Sequence, residues 1–405
     1  MDGFVEKIWG RKAVRYCILA ILAAMALISL IQGIRNAAEF SQDFQWDAAK
    51  AISMRLDPYE LSLDPGKALE YPPLAEFYRL FTDKGLKQKM EANQFPSLLM
   101  LLIPYTFLKP LTARYAWIIS NLIFTAGIIF LLRRTFLKDA DRDVFLAFML
   151  LMIAGTPYRN HLGVGQHTLF AFFFFLLAVW FEGMYPSDRV SVKVVLCLFI
   201  CYFKYTLTVP LCLYFVYKKR YPEIVISAGI HVILTAVSAW WLGDSFINMI
   251  VKPLKVSSAL AAEGGLDLGA LLGGSPAAYV IAFIVMAGLF VMALRLKDGL
   301  SGGFFSVLIL WSLILTYHRT YDFFVMVTVA VFFLEKRPEG EIPGGRIFFD
   351  ILKAGYAVTL IGVFFVLWVF SESTASRIVV GAVYYMFTIA MTAVLIPEMR
   401  TKGKS

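Results

Sequence analysis

The chain has 405 residues, of which 59% are hydrophobic, 16% aromatic and only 17% charged, and its mean hydropathy is +0.70. This composition excludes an ordinary water-soluble domain and indicates a protein for which the lipid bilayer is the solvent. The formal net charge of +9 does not indicate a nucleic-acid partner, because the basic residues lie in short clusters between apolar runs and not on one continuous face.

Apolar runs of membrane-span length follow one another along the chain and predict about ten to twelve crossings. We therefore expect an all-α polytopic membrane protein in which residues 1–405 form one integral-membrane domain. The expected helices cover residues 14–34, 115–132, 144–156, 168–181, 194–217 (as two short helices), 225–241, 277–294, 304–316, 323–334, 348–370 and 378–396.

Basic residues precede the first expected span and follow the last one. Cytoplasmic segments of membrane proteins are rich in Lys and Arg, so we expect residues 1–13 and 398–405 to be cytoplasmic, in a bacterial inner membrane. Residues 35–114 then form an external loop, and residues 115–397 complete the bundle. The basic residues concerned are Lys7, Arg11, Lys12, Arg15, Arg400, Lys402 and Lys404.

Two apolar stretches are poor continuous spans. Residues 95–111 contain Pro96, Pro104 and Pro110, which favours an interfacial helix in the external loop. The run around Lys204 is slightly long for one crossing and short for two. Since a polar break in the membrane is tolerated where it lines a cavity, we expect two short helices that meet at Lys204 beside a polar space.

Three polar segments fall on the predicted external side. The first, residues 41–50, carries Asp43 and Asp47, whose spacing of four places both on one face of an expected helix. Asp43 is either an N-terminal cap of that helix or a functional carboxylate, acting as general base or metal ligand. The other two segments, residues 159–167 and 317–322, are rich in Arg and His and can hold a phosphate. Alternatively, the first is a polar hairpin turn at the interface, and Arg319 in the second, like Lys204, reaches lipid headgroups.

A carboxylate and a group of cations at one membrane face suit a phosphate-linked lipid substrate, because the cations neutralise the leaving phosphate while the carboxylate deprotonates a hydroxyl. We therefore predict that Asp43 is catalytic. The residues expected to bind the donor and its phosphate are Asp47, Arg159, His161, Gln166, His167, Lys204, His318, Arg319 and Asp322.

The order of these features resembles the GT-C superfamily of polytopic glycosyltransferases, and within it the family-87 group typified by bacterial polyprenol-phosphate-mannose-dependent mannosyltransferases. Residues 43–46 (Asp-Phe-Gln-Trp) and 57–59 (Asp-Pro-Tyr) look like the external segments of that group. Gly165-Gln166 looks like its GQ turn. Lys204-Tyr205 and residues 317–322 look like its Lys-Pro break and late polar turn, with altered residues. Two places, residues 71–73 and 95–97, compete for its Tyr-Pro-Pro segment, and the spacing to the next span favours residues 95–97.

The resemblance spans about residues 14–337 and implies the chemistry. It implies a GT-C-like bundle and an inverting hexosyl transfer with Asp43 as the base and mannose as the expected sugar. The implied donor is a polyprenyl-phosphate sugar, and the implied acceptor is a lipid or glycan. No metal or other cofactor is expected with a monophosphate carrier. The four cysteines lie in apolar runs without CxxC spacing and predict no zinc site. A lipid-linked-sugar transporter and a different GT-C transfer reaction remain the alternatives.

Overall fold

The computed structural model describes residues 10–184, 189–260, 265–334, 345–370 and 373–399. All regular secondary structure in these residues is helical, and none of them belongs to a strand. The predicted all-α polytopic fold is therefore confirmed. Lys7, Arg400, Lys402 and Lys404, on which part of the predicted orientation rests, lie outside the described residues.

Seven described helices are long and apolar enough to cross a membrane, and the number rises to eight if one sharply bent pair counts as a span. The seven are Lys12–Glu39, Pro110–Thr135, Val192–Leu211, Tyr221–Leu242, Pro276–Arg295, Ile347–Val369 and Thr374–Glu398, and the bent pair is Thr156–Val164 with Thr168–Met184. Shorter apolar helices are Arg142–Ala154, Pro96–Thr106, Ser301–Leu315 and Thr320–Leu334.

Length and composition alone make Val192–Leu211 a single span, but the hydrogen bonds show that the chain reverses within it. The backbone N–H of Ser191 donates to Glu223 at 3.1 Å, and His231 Nε2 lies 2.8 Å from the Phe199 carbonyl. The helices Val192–Cys201 and Tyr221–Leu242 therefore run in the same direction, and residues 205–217 must return between them. The predicted pair of short helices that meet at Lys204 is confirmed.

Other contacts extend this alternation of direction along the bundle. Arg15 pairs with Asp143 at 3.0 Å, and Ser29 donates to the Ile153 carbonyl at 2.6 Å, so Lys12–Glu39 and Arg142–Ala154 also run in parallel. The twelve alternating segments of the described chain are 12–39, 110–135, 142–154, 168–184, 192–204, 205–217, 221–242, 276–295, 301–315, 320–334, 345–369 and 374–395. The short segment Ser301–Leu315 is largely buried in the bundle.

The segment Thr320–Leu334 begins with a 3-10 helix, Thr320–Ala330. A 3-10 helix rises about 2.0 Å per residue and an α-helix about 1.5 Å, so these 15 residues reach about 28 Å, nearly the thickness of the hydrocarbon core. The 3-10 conformation thus lets a short segment span most of the bundle. Its residues from Asp322 to Ala330 are buried.

Residues 40–109 form a compact outer loop at one end of the bundle, which we call the cavity end. Its helical segments are Gln42–Phe44 (3-10), Trp46–Ser53, Pro58–Leu63, Pro65–Ala68, Pro72–Thr82 and the short turns of Pro96–Thr106. The prolines thus interrupt residues 95–111 as predicted. The helix that we expected to carry both Asp43 and Asp47 is wrong at its start, because Gln45 adopts a left-handed backbone (φ 61°) that separates Asp43 from the helix.

A second correction concerns residues 159–167, for which a polar hairpin turn was one of the two interpretations. Most of them belong to the helix Thr156–Val164, which makes an angle of 107° with Thr168–Met184. The chain turns only at Gly165, which has a φ of 76°. A Cβ atom there would lie 2.4 Å from Ser41 Oγ, so only glycine fits at this point.

Candidate active site

A polar cavity of about 180 Å³ lies at the cavity end, between the outer loop and the turns of the bundle. Its walls come from six parts of the chain that are far apart in sequence. The lining residues are Gln42, Asp43, Gln45, Gln88, Glu91, Asn93, Gln94, Gln166, His167, Lys204, Tyr205, Thr206, Ser257, Tyr317, Arg319 and Tyr321.

Aromatic packing holds the turn that carries Asp43 in place. Phe44 stacks on Trp117 with ring centroids 4.9 Å apart, and Trp117 Nε1 donates to the Gly165 carbonyl at 2.8 Å. His167 Nε2 lies 3.0 Å from the Phe44 carbonyl. These contacts lock the residue after Asp43 to the residues on both sides of Gln166, so the carboxylate has a defined position in the cavity.

Gln166 connects the carboxylate to the positive side of the cavity. Its Nε2 donates to Asp43 Oδ2 at 3.1 Å and to the Tyr321 hydroxyl at 2.8 Å. Its Oε1 accepts from Lys204 Nζ at 3.3 Å. One amide therefore sets the geometry of an acid, a phenol and an ammonium group together.

Burial raises the pKa of Asp43 from its ordinary value of 3.8 to about 6, while the hydrogen bond from Gln166 and the charges of Lys204 and Arg319 oppose this rise. The side chain keeps partial access to the cavity and is only half-buried by surface area. A carboxylate with this pKa is mostly ionised at pH 7 and is a stronger base than an ordinary aspartate.

Lys204 is held by a buried carboxylate at the break between its two helices. Its Nζ lies 3.4 Å from Asp322 Oδ2, and Asp322 Oδ1 accepts a short hydrogen bond from Thr168. Asp322 is 1% exposed. Beside this pair, Arg319 Nε donates to the Tyr317 hydroxyl at 2.6 Å, and Arg319 is exposed at the rim. The cavity thus has a positive side opposite Asp43.

The sequence model of glycosyltransferase family 87 matches residues 96–317, which is more than half of the chain. The chain belongs to glycosyltransferase family 87. It is a membrane glycosyltransferase with an all-α polytopic fold. No curated protein and no solved structure matches the chain.

The family match begins at Pro96 and therefore includes residues 95–97 in large part but not residues 71–73. This favours the former as the counterpart of the Tyr-Pro-Pro segment. Asp43 also precedes the matched residues, so the proposal for its role rests on geometry and on the resemblance of residues 43–46.

The structure brings five of the ten predicted site residues of this family-87 glycosyltransferase to the cavity wall: Asp43, Gln166, His167, Lys204 and Arg319. Asp322 lies directly behind Lys204. His161 and His318 are buried behind the wall, where His161 Nε2 accepts from the Leu169 N–H at 3.3 Å and His318 Nδ1 lies 3.1 Å from the Thr316 carbonyl.

Asp47 and Arg159 do not line the cavity. Asp47 is sealed in the outer loop, where it accepts from the Tyr78 hydroxyl at 2.6 Å and from the Ala48 N–H at 2.9 Å. Arg159 donates to Gln32 at 3.0 Å and lies over the Trp368 ring. The expectation that Asp43 and Asp47 share one helix face is wrong, because the left-handed residue Gln45 rotates the turn away from the helix.

Several lining residues were not predicted. Tyr321 lies within a polar segment that was singled out, and Tyr205 follows Lys204, so both could have been found from their neighbours. Gln45 lies within residues 43–46, which were singled out, so it too could have been found from its neighbours. Gln88, Glu91, Asn93 and Gln94 come from the outer loop, where no periodic pattern or motif marks them. Among the described residues, no three His, Cys, Asp or Glu side chains are grouped as they would be around a metal ion.

Proposed function

We propose that this family-87 glycosyltransferase transfers a hexose from a polyprenyl-phosphate donor to a hydroxyl group of a lipid or glycan acceptor, with Asp43 as general base. Mannose is the first sugar to test. The observation that carries the proposal is the placement of Asp43, Gln166 and Lys204 in one hydrogen-bonded row along a polar cavity.

The proposed reaction is a single displacement. Asp43 takes the proton of the acceptor hydroxyl, whose oxygen forms a bond to the anomeric carbon. The bond from that carbon to the phosphate oxygen breaks, and its electron pair leaves with the polyprenyl phosphate. The configuration at the anomeric carbon is inverted. Lys204 and Arg319 would stabilise the charge on the departing phosphate.

An apolar cavity offers room for the polyprenyl tail. It has a volume of about 450 Å³ and shares Tyr205 with the polar cavity. Its walls include Phe95, Val209 and Phe290, which come from three different parts of the bundle. A lipid-linked phosphate could therefore place its head beside Lys204 while its tail stays in apolar surroundings.

We also propose that the cavity faces outward from a bacterial inner membrane and that both chain ends are cytoplasmic. The short connections at the opposite end of the bundle carry a cluster of cations, which favours a cytoplasmic location for that end. These cations are Arg133, Arg134, Lys218, Lys219, Arg220, Arg295 and Lys297.

The test uses purified protein in lipid nanodiscs and a panel of polyprenyl-phosphate sugars, with and without EDTA. We expect one donor to react, the product to have the inverted anomeric configuration, and EDTA to leave the rate unchanged. Failure of every donor to react, together with movement of the donor lipid between leaflets in proteoliposomes, would replace transfer by lipid-linked-sugar transport. Loss of transfer in EDTA would contradict the proposed metal independence.

A further inference from the structure

The two sides of the polar cavity differ in chemistry. One side carries Lys204 and Arg319, the cations assigned above to the donor phosphate. The other side comes from the outer loop and consists of Gln42, Gln45, Gln88, Glu91, Asn93 and Gln94. We call this second set the amide wall. It contains five neutral amides and one carboxylate, and no lysine or arginine.

The amide wall is a built surface and not a loose loop. Gln45 Nε2 donates to the Glu91 carbonyl at 2.9 Å and joins the Asp43 turn to residues 88–94. The Tyr59 hydroxyl donates to the Gln94 carbonyl at 2.8 Å, and the Ala92 N–H donates to Ser62 Oγ at 2.9 Å. The wall is therefore held in place on both sides of Glu91.

Two hydrogen-bond acceptors on this wall lack a donor. Gln45 and Gln94 are 7% and 8% exposed, and the side-chain oxygen of each is buried without a hydrogen-bond donor. A buried acceptor without a donor is costly, and the hydroxyl groups of a bound ligand are one source of the missing donors. A carboxylate or phosphate has no proton to supply to such oxygens.

The charge of the amide wall also favours a ligand without a negative charge. Glu91 makes no ion pair within the described part of the chain, and its negative charge is one of the factors that raise the pKa of Asp43. Lys87 and Lys89, the cations next to it in sequence, are exposed and do not line the cavity. An anionic group bound against this wall would lie beside the carboxylates of Asp43 and Glu91, and the wall itself supplies no counter-charge.

From this wall we infer that the acceptor is an uncharged sugar, bound through its hydroxyl groups by the amide wall, and that Glu91 is a specificity-determining residue that excludes anionic sugars. The inference rests on the proposed transferase function and narrows its acceptor class. The wall lies outside the family match, which begins at residue 96, so this selectivity would belong to the outer loop and not to the residues that the family model matches.

The test measures binding and so needs no turnover. The ligands are methyl α-mannoside, methyl β-glucoside and methyl β-galactoside, each paired with its uronide, in which a carboxylate replaces the C6 hydroxymethyl group. Saturation-transfer NMR on the protein in nanodiscs gives the affinity of each ligand for wild type, Glu91→Gln, Glu91→Lys and the control Glu76→Gln. Glu76 is an exposed carboxylate of the same loop that does not line the cavity.

We expect at least one neutral glycoside to bind wild type about tenfold or more tightly than its uronide, since two like charges a few ångströms apart repel strongly in a partly desolvated site. Glu91→Gln should bring the ratio towards one, Glu91→Lys should invert it, and Glu76→Gln should leave it unchanged. The inference is overturned if no neutral glycoside binds, if the uronides bind as well as their neutral partners, or if Glu91→Gln leaves the ratio as it is.

The proposed function is judged separately, from the release of polyprenyl phosphate by wild type in the donor panel. If a donor turns over but neutral and anionic sugars bind equally well, only the inference about the acceptor is contradicted. If neutral sugars bind selectively but no donor turns over, the proposed transfer reaction is contradicted and the sugar selectivity of the amide wall is supported.

Discussion

Asp43 and Asp47 are four positions apart in sequence, and burial raises the pKa of each from 3.8 to about 6, yet they lie in different surroundings. Asp43 opens onto the cavity and shares Gln166 with Lys204. Asp47 is 5% exposed and is closed in by Tyr78 and the backbone of Ala48. A perturbed pKa therefore does not identify the catalytic residue here, because access to a cavity separates the two carboxylates.

Asp43→Asn should cause the largest loss. The amide keeps the shape of the side chain but cannot accept a proton, so the transfer rate should fall by about 10²- to 10⁴-fold. Thermal unfolding and donor binding should stay close to wild type, because the side chain is not part of the packed core. Single-turnover transfer in nanodiscs measures the rate, and full turnover by this variant would remove Asp43 from the mechanism.

Lys204→Gln should cause the next largest loss, because the charge that faces the departing phosphate disappears. The rate should fall by about 10²- to 10³-fold, comparable to the removal of one oxyanion-hole donor from a protease. Lys89→Gln is the control, since Lys89 is an exposed lysine of the outer loop that does not line the cavity. Equal effects of the two substitutions on the rate would refute a specific role for Lys204.

Tyr78→Phe removes a hydroxyl group beside Asp47, and Tyr321→Phe removes one beside Gln166. Tyr78→Phe leaves the buried Asp47 without its hydroxyl donor and should lower the free energy of unfolding by about 1–3 kcal/mol with little effect on turnover. Tyr321→Phe removes a partner of Gln166 and should slow transfer about 2- to 10-fold with little effect on stability.

The stability effect of Tyr78→Phe should depend on pH. The Tyr78 hydroxyl stabilises the ionised form of Asp47 and so lowers a pKa that burial raises. Its loss should therefore destabilise the protein more at pH 7.5, where Asp47 is ionised, than at pH 5, where Asp47 is protonated. Chemical or thermal unfolding at the two pH values checks this, and an equal loss at both would mean that the hydrogen bond does not favour the ionised form.

Arg159→Gln should have the smallest effect. Arg159 pairs with Gln32 and packs on Trp368 outside the cavity wall, so transfer should change by less than about twofold. A large loss of donor affinity in this variant would place the phosphate near Thr156–Val164 and away from Lys204.

The sequence predicted the helical bundle and the break at Lys204, because the lengths of apolar runs and a single lysine within one of them are local signals. The burial of Asp47 could not be predicted, since its hydrogen-bond partner Tyr78 lies 31 positions away in a loop without a recognisable pattern. Thr156–Val164 was missed as a helix because Arg159, Asn160 and His161 interrupt its hydropathy. The amide wall likewise depends on contacts between distant segments of the outer loop.

The pH dependence of transfer tests the role of Asp43 most directly. Because the ionised form is the base and its pKa is about 6, kcat/KM of wild type should fall about tenfold per pH unit below pH 6 and level off above about pH 7. The residual rate of Asp43→Asn should be flat over the same range. A flat wild-type profile between pH 5 and 8, or the same break in both proteins, would contradict the assignment of Asp43 as the general base.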